Sequence, residues 1–81
     1  MNLTPETLVE LANTTMPFGK YSGRRLIDLP EPYLLWFANK GFPSGRLGEL
    51  MAFALFIRTE GLERLVRPLE KPLSPRSDTL Q

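Results

Sequence analysis

The sequence predicts a mainly α-helical domain carrying one small β-hairpin near its start, a compact small α+β fold of three or four helices. Three observations predict it. Three stretches place apolar residues at helical spacing, each opened by proline, serine or threonine and closed by glycine or hydrogen-bonding polar residues. Two short extended pieces flank a glycine-bounded loop at residues 19–23. With 81 residues and no cysteine, one small core must hold the chain without disulfides or thiolate–metal staples.

The first helix is capped by Thr4, has Pro5 at its first helical position, and carries Glu6 near its positive end. Leu8, Leu11 and Ala12 give its apolar stripe, with Val9 beside it, and Asn13, Thr14 and Thr15 stop it. Pro17 biases Met16 toward extended geometry and suits only an edge strand. Residues 15–18 and 24–27 are therefore read as the two arms of the hairpin, with an irregular loop as the alternative.

Pro30 and Pro32 open the second helix, where Asp28 and Glu31 have capping-box spacing. Tyr33, Leu34, Trp36 and Phe37 form its apolar face, with Trp36 and Phe37 expected to dominate burial, and Gly41 is its stop. The third helix is expected over residues 45–60, capped by Ser44 and ended by Gly61. Leu47, Leu50, Met51, Ala54, Leu55 and Ile57 fill one broad arc, which marks it as the central helix; Phe56 falls outside that arc. Residues 62–67 return Leu65 and Val66 to the core. This makes residues 1–67 one globular domain. Prolines 68, 72 and 75 mark residues 68–81 as an extended, disordered tail.

Composition excludes several function classes. At 42% hydrophobic and 23% charged, with a formal net charge of +1, the chain is an ordinary globular one, and bulk charge does not predict a nucleic-acid partner. The first residues lack the basic and apolar regions of a secretory signal. The longest apolar run, residues 50–57, would rise roughly 12 Å as a helix, against a hydrocarbon core of about 30 Å. A cytoplasmic protein with no membrane segment is expected. Histidine and cysteine are both absent, which removes the commonest general base and the best nucleophile. The acids are scattered one or two per helix, so no catalysis, metal or cofactor is expected.

Two local features remain. Gly19 and Gly23 beside Lys20 can expose amides to an anion, yet a nucleotide-binding loop needs its lysine after the last glycine and at the mouth of a helix. A tight turn is the better reading. Residues 16–27 do carry Lys20, Arg24 and Arg25 with no acid, interleaved with Phe18 and Tyr21. That pattern suits DNA or RNA: cations pair with phosphates and Tyr21 stacks on a base. Lys40 and Arg46, each beside a turn glycine, extend the patch if the turns converge. The plainer alternative puts Phe18 in the core, Tyr21 over the turn and the cations in solvent. Phe56, with Phe53 on the same helix, is the candidate interface for a protein partner or homodimer.

Residues 16–36 fit the pattern MPFGKYxGxxLxxLPxxYLxW through Met16-Pro17-Phe18-Gly19-Lys20-Tyr21, Gly23, Leu26, Leu29-Pro30, Tyr33-Leu34 and Trp36. This resembles the module at the C-terminus of exonuclease X-like proteins. It also resembles a family of short bacterial proteins labelled putative quorum-sensing-regulated virulence factors. The resemblance implies a module that touches nucleic acid or a partner, because the nuclease chemistry of the longer proteins resides in a separate acidic domain. Ser22 stands where that module often has lysine, which lowers the local charge by one.

Overall fold

The computed structural model describes residues 4–72. It contains three α-helices, α1 (Pro5–Asn13), α2 (Glu31–Lys40) and α3 (Arg46–Glu60), and single 3-10 turns at Leu26–Asp28, Glu63–Leu65 and Arg67–Leu69. No described helix is long and apolar enough to cross a membrane.

Local chemistry sets most of the helix ends. Thr4 is extended, and its Oγ1 accepts a hydrogen bond from the Thr7 N–H at 3.1 Å, with Pro5 opening α1 as expected. Gly61 ends α3 in the left-handed conformation, donating its N–H to the carbonyls of the last turn. Two expected caps are replaced. Asp28 does not cap α2; its carboxylate pairs with Arg67 at 2.7 Å, and Pro30 holds the capping position. At α3 the capping position falls on Gly45, not Ser44, with no side-chain bond.

The mainly helical expectation holds, but no strand forms among the described residues. The expected hairpin contracts to one antiparallel bridge between Thr15 and Arg25. Met16 N–H donates to the Arg24 carbonyl at 2.8 Å and Leu26 N–H to the Thr14 carbonyl at 3.0 Å on either side of it. The pairing goes no further because the Arg24 N–H donates back to the Tyr21 carbonyl and the Met16 carbonyl accepts from Gly23 instead. On the other arm, Leu26, Ile27 and Leu29 are all fully buried. A strand would alternate faces and turn Ile27 outward, whereas the 3-10 turn places Leu26 and Leu29 on one face, and the packing of α1 and α3 on the turn buries Ile27 as well.

That turn packs between α1 and α3, and α2 packs on α3. The core comprises Leu11, Ala12 and Met16 from the first segment, Leu26, Ile27 and Leu29 in and just after the turn, Leu34 of α2, and Leu50, Met51, Phe53, Ala54 and Ile57 of α3, closed by Val66. Leu65 stays outside, so only one of the two residues expected to return to the core does so. Arg58 fixes the turn against α3 by donating to the Ile27 and Leu29 carbonyls at 2.9 and 2.6 Å. Gly48 is buried because a Cβ there would stand 1.8 Å from the Pro43 carbonyl oxygen, letting α3 start tight against its own entry loop.

The packed unit extends past residue 67, the boundary expected from the sequence. Leu69 packs against the core. Asn13 Nδ2 donates to the Leu69 carbonyl at 3.0 Å and its Oδ1 accepts from the Lys71 N–H at 2.8 Å. The remainder of the expected tail, residues 73–81, lies outside the described residues.

Candidate functional site

The loop between α1 and α2 is anchored by buried Met16, whose carbonyl accepts from the Gly23 N–H at 2.8 Å. Two tight turns shape its tip: Ser22 N–H donates to the Gly19 carbonyl at 3.1 Å and Arg24 N–H to the Tyr21 carbonyl at 3.0 Å. Gly19 takes φ +80°, and a Cβ there would lie 3.3 Å from the Tyr33 hydroxyl. Both the positive φ and the close approach favour glycine at this position. The loop is thereby laid against the start of α2.

Tyr21 carries the contact. Its ring meets Tyr33 edge-on with centroids 4.7 Å apart; Tyr33 meets Phe37 at 5.2 Å, and Phe37 meets Trp36 at 5.1 Å, all near perpendicular. Phe42 stacks on Phe37 at 6.5 Å and ends the ladder. Edge-to-face pairs of this kind each add about 0.5–1.5 kcal/mol beyond area burial, which fixes the rings relative to one another. Lys20 Nζ lies 5.5 Å and Arg24 Cζ 5.2 Å from the Tyr21 centroid. Both are within cation–π range, so one ring orients two charges. Neither cation pairs with a carboxylate among the described residues.

Lys20, Tyr21, Pro30, Pro32, Tyr33 and Trp36 line an open groove of about 570 Å³. The two prolines give it a wall without N–H donors and with fixed backbone. Trp36 is 54% exposed, which overturns the expectation that it dominates the core. Leu34 takes the buried place on α2, and Trp36, two residues on, lies about 200° around the helix from it. That angle was available in the sequence; the size and apolarity of tryptophan masked it. Pro30, Pro32 and Tyr33 were also missed as site residues, since helix-opening and core packing already accounted for them.

The other predicted basic residues have different tasks. Arg25 is 8% exposed. It donates from Nη1 to the Ala12 carbonyl at 2.7 Å and from Nη2 to the Lys71 carbonyl, so it ties α1 to the last described residues. Arg46 pairs with Glu10 and Glu49, each at 2.8 Å, and reaches the Thr7 hydroxyl at 3.3 Å. Its hydrogen bond holds the Glu10 carboxyl below the ordinary value of 4.5, and the two carboxylates in turn raise the guanidinium. Lys40 is exposed in the last turn of α2, where a cation suits the helix end, and does not line the groove. Of the two candidate interface rings, Phe53 is core at 3% exposed, and Phe56 faces out at 43%.

Among the described residues no group of three or more acidic, histidine or cysteine side chains is arranged to hold a metal ion. The convergent chemistry is instead aromatic and cationic. It can offer a flat ring face together with two positive charges.

A family model described as "Putative quorum-sensing-regulated virulence factor" matches residues 4–69. The chain is 70% identical over 69 residues to the protein named "Uncharacterized protein YpeB" of Escherichia coli strain K12, covering 84% of this chain and 96% of that one. The protein of the same name from Escherichia coli O157:H7 matches to the same extent. No solved structure matches the chain. The family match spans all three helices and the whole aromatic groove, and the chain belongs to the putative quorum-sensing-regulated virulence factor family.

Proposed function

We propose that this domain is a non-enzymatic binding module that contacts nucleic acid through the groove between the loop tip and α2. One observation carries the reading: an exposed Trp36 shares a groove with Lys20 and Arg24's partner ring Tyr21, and neither cation is neutralised by a described carboxylate. Stacking on aromatic rings and pairing with phosphates are the two components of sequence-tolerant nucleic-acid binding. Arg25 and Arg46 do not contribute to it, because folding already uses both.

Trp36 is the only tryptophan in the chain, so its fluorescence reports on the groove directly. Titration with oligonucleotides at ~50 mM salt is expected to quench it, and a Lys20→Gln/Arg24→Gln double variant to abolish most of the quenching. Unchanged fluorescence with every oligonucleotide, or equal binding by the double variant, overturns the proposal. A protein-interaction module using α3 is the second reading, and exposed Phe56 is its support. A single exposed ring is ordinary on a protein surface, so nucleic acid is preferred.

A further inference from the structure

Resting on the nucleic-acid reading, we infer that the groove takes a single strand, holding one base on Trp36 and one flanking phosphate on Lys20, with the other flanking phosphate on Arg24, which lies against Tyr21 outside the groove lining. The ring geometry separates the roles. Tyr21 presents its edge or face to Tyr33 and lies within cation–π range of both Lys20 and Arg24. It is therefore a post that spaces two charges. Trp36 is braced only through Phe37 and is the most exposed large apolar side chain among the described residues. It is the ring left to receive a base.

Size points the same way. The groove's 570 Å³ falls within the range of about 300–1,000 Å³ typical of small-molecule sites, which accommodates one base and its sugar. A duplex keeps its base faces stacked on their neighbours, and extruding one costs unpairing energy that two phosphate contacts do not offset. A single strand offers a base face at no such cost. The two cations share one ring, each within 5.5 Å of its centroid, so they are close enough to serve successive phosphates of one chain. The shortest strand containing a base flanked by two phosphodiesters is a trinucleotide.

The test is a fluorescence titration of the full chain with thymidine, with its di-, tri-, tetra- and hexanucleotides lacking terminal phosphates, and with a duplex of the hexamer sequence extended to a stable length. Affinity corrected for the number of registers is expected to rise up to the trimer and then level. For two phosphates on a single strand, log K against log salt should have a slope of about −1.4. Anisotropy of a labelled trimer should show Trp36→Ala weakening binding roughly 5- to 150-fold, with Trp36→Phe retaining most of the affinity. A duplex that binds as tightly as the single strand, a register-corrected affinity still rising at the hexamer, or loss of binding in Trp36→Phe equal to that in Trp36→Ala overturns this inference and leaves the broader nucleic-acid reading standing. Absence of binding by every single- and double-stranded probe removes both.

Discussion

Arg24 and Arg25 are neighbours in the chain and belong to different regions of the molecule. Arg24 stands over Tyr21, one of the rings that line the groove, exposed and without a described carboxylate partner. Arg25 is turned the other way and buried, donating to carbonyls at the end of α1 and at Lys71. The antiparallel bridge at Thr15 and Arg25 sends successive side chains to opposite faces, and this produces the division. A basic run in a sequence is therefore not yet a basic surface. The clamp around Arg25 and Asn13 should govern stability, and the groove around Trp36 should govern binding.

Five substitutions and one titration can break or sharpen that division. The largest stability effect is expected for Arg25→Ala, which leaves the buried Ala12 carbonyl without its partner, releases Lys71, and should cost about 2–3 kcal/mol in urea unfolding. Arg25→Lys should recover only part of this, because a point charge cannot reach two separated carbonyls as a fork does. Asn13→Ala comes next. It removes the bonds to the Leu69 carbonyl and the Lys71 N–H, for a loss of about 1–2 kcal/mol and faster hydrogen exchange at Lys71.

Gly19→Ala is the informative exception on the groove side. Its positive φ and the nearby Tyr33 hydroxyl predict a cost of about 1–2 kcal/mol together with weakened binding, since the loop would lift from α2. Trp36→Ala should cost about 0.5–1.5 kcal/mol, because the half-exposed ring contributes mainly its edge contact with Phe37.

The smallest effect is electrostatic. Glu10 is held below its ordinary 4.5 by the hydrogen bond from Arg46, so its contribution is fully present above that pH and is lost as pH falls through the lowered value. Thermal midpoints of the parent and Glu10→Gln proteins should differ at pH 6 and converge as acidification proceeds below the ordinary value of 4.5, and high salt should narrow the gap. A gap that widens as pH falls would contradict this linkage.

The helices were legible in the sequence because their signals are local. Thr4, Pro5, Gly41 and Gly61 act within a few residues of where they stand, and the apolar arc of α3 declares its own burial. The 3-10 turn at Leu26–Asp28 was not legible, since a short piece after a glycine-bounded loop also reads as a strand arm, and only the packing of α1 and α3 on either side buries Leu26, Ile27 and Leu29 together. Asp28 illustrates the same limit: its spacing from Glu31 suggested a cap, while its partner Arg67 lies far along the chain. At the candidate site, Lys20, Tyr21 and Arg24 were singled out by the acid-free basic-aromatic pattern of residues 16–27. Trp36 was not, because its apolarity argued for the core more strongly than its helical angle argued against it.

The most direct test of the division is one paired measurement on the Lys20→Gln/Arg24→Gln double variant and on Arg25→Lys: Trp36 quenching by hexathymidylate beside the urea midpoint of the same samples. The account predicts that the double variant keeps the parental midpoint and loses the quenching, whereas Arg25→Lys lowers the midpoint and, while folded, quenches as the parent does. Quenching that depends on Arg25 and is indifferent to Lys20 and Arg24 would contradict it.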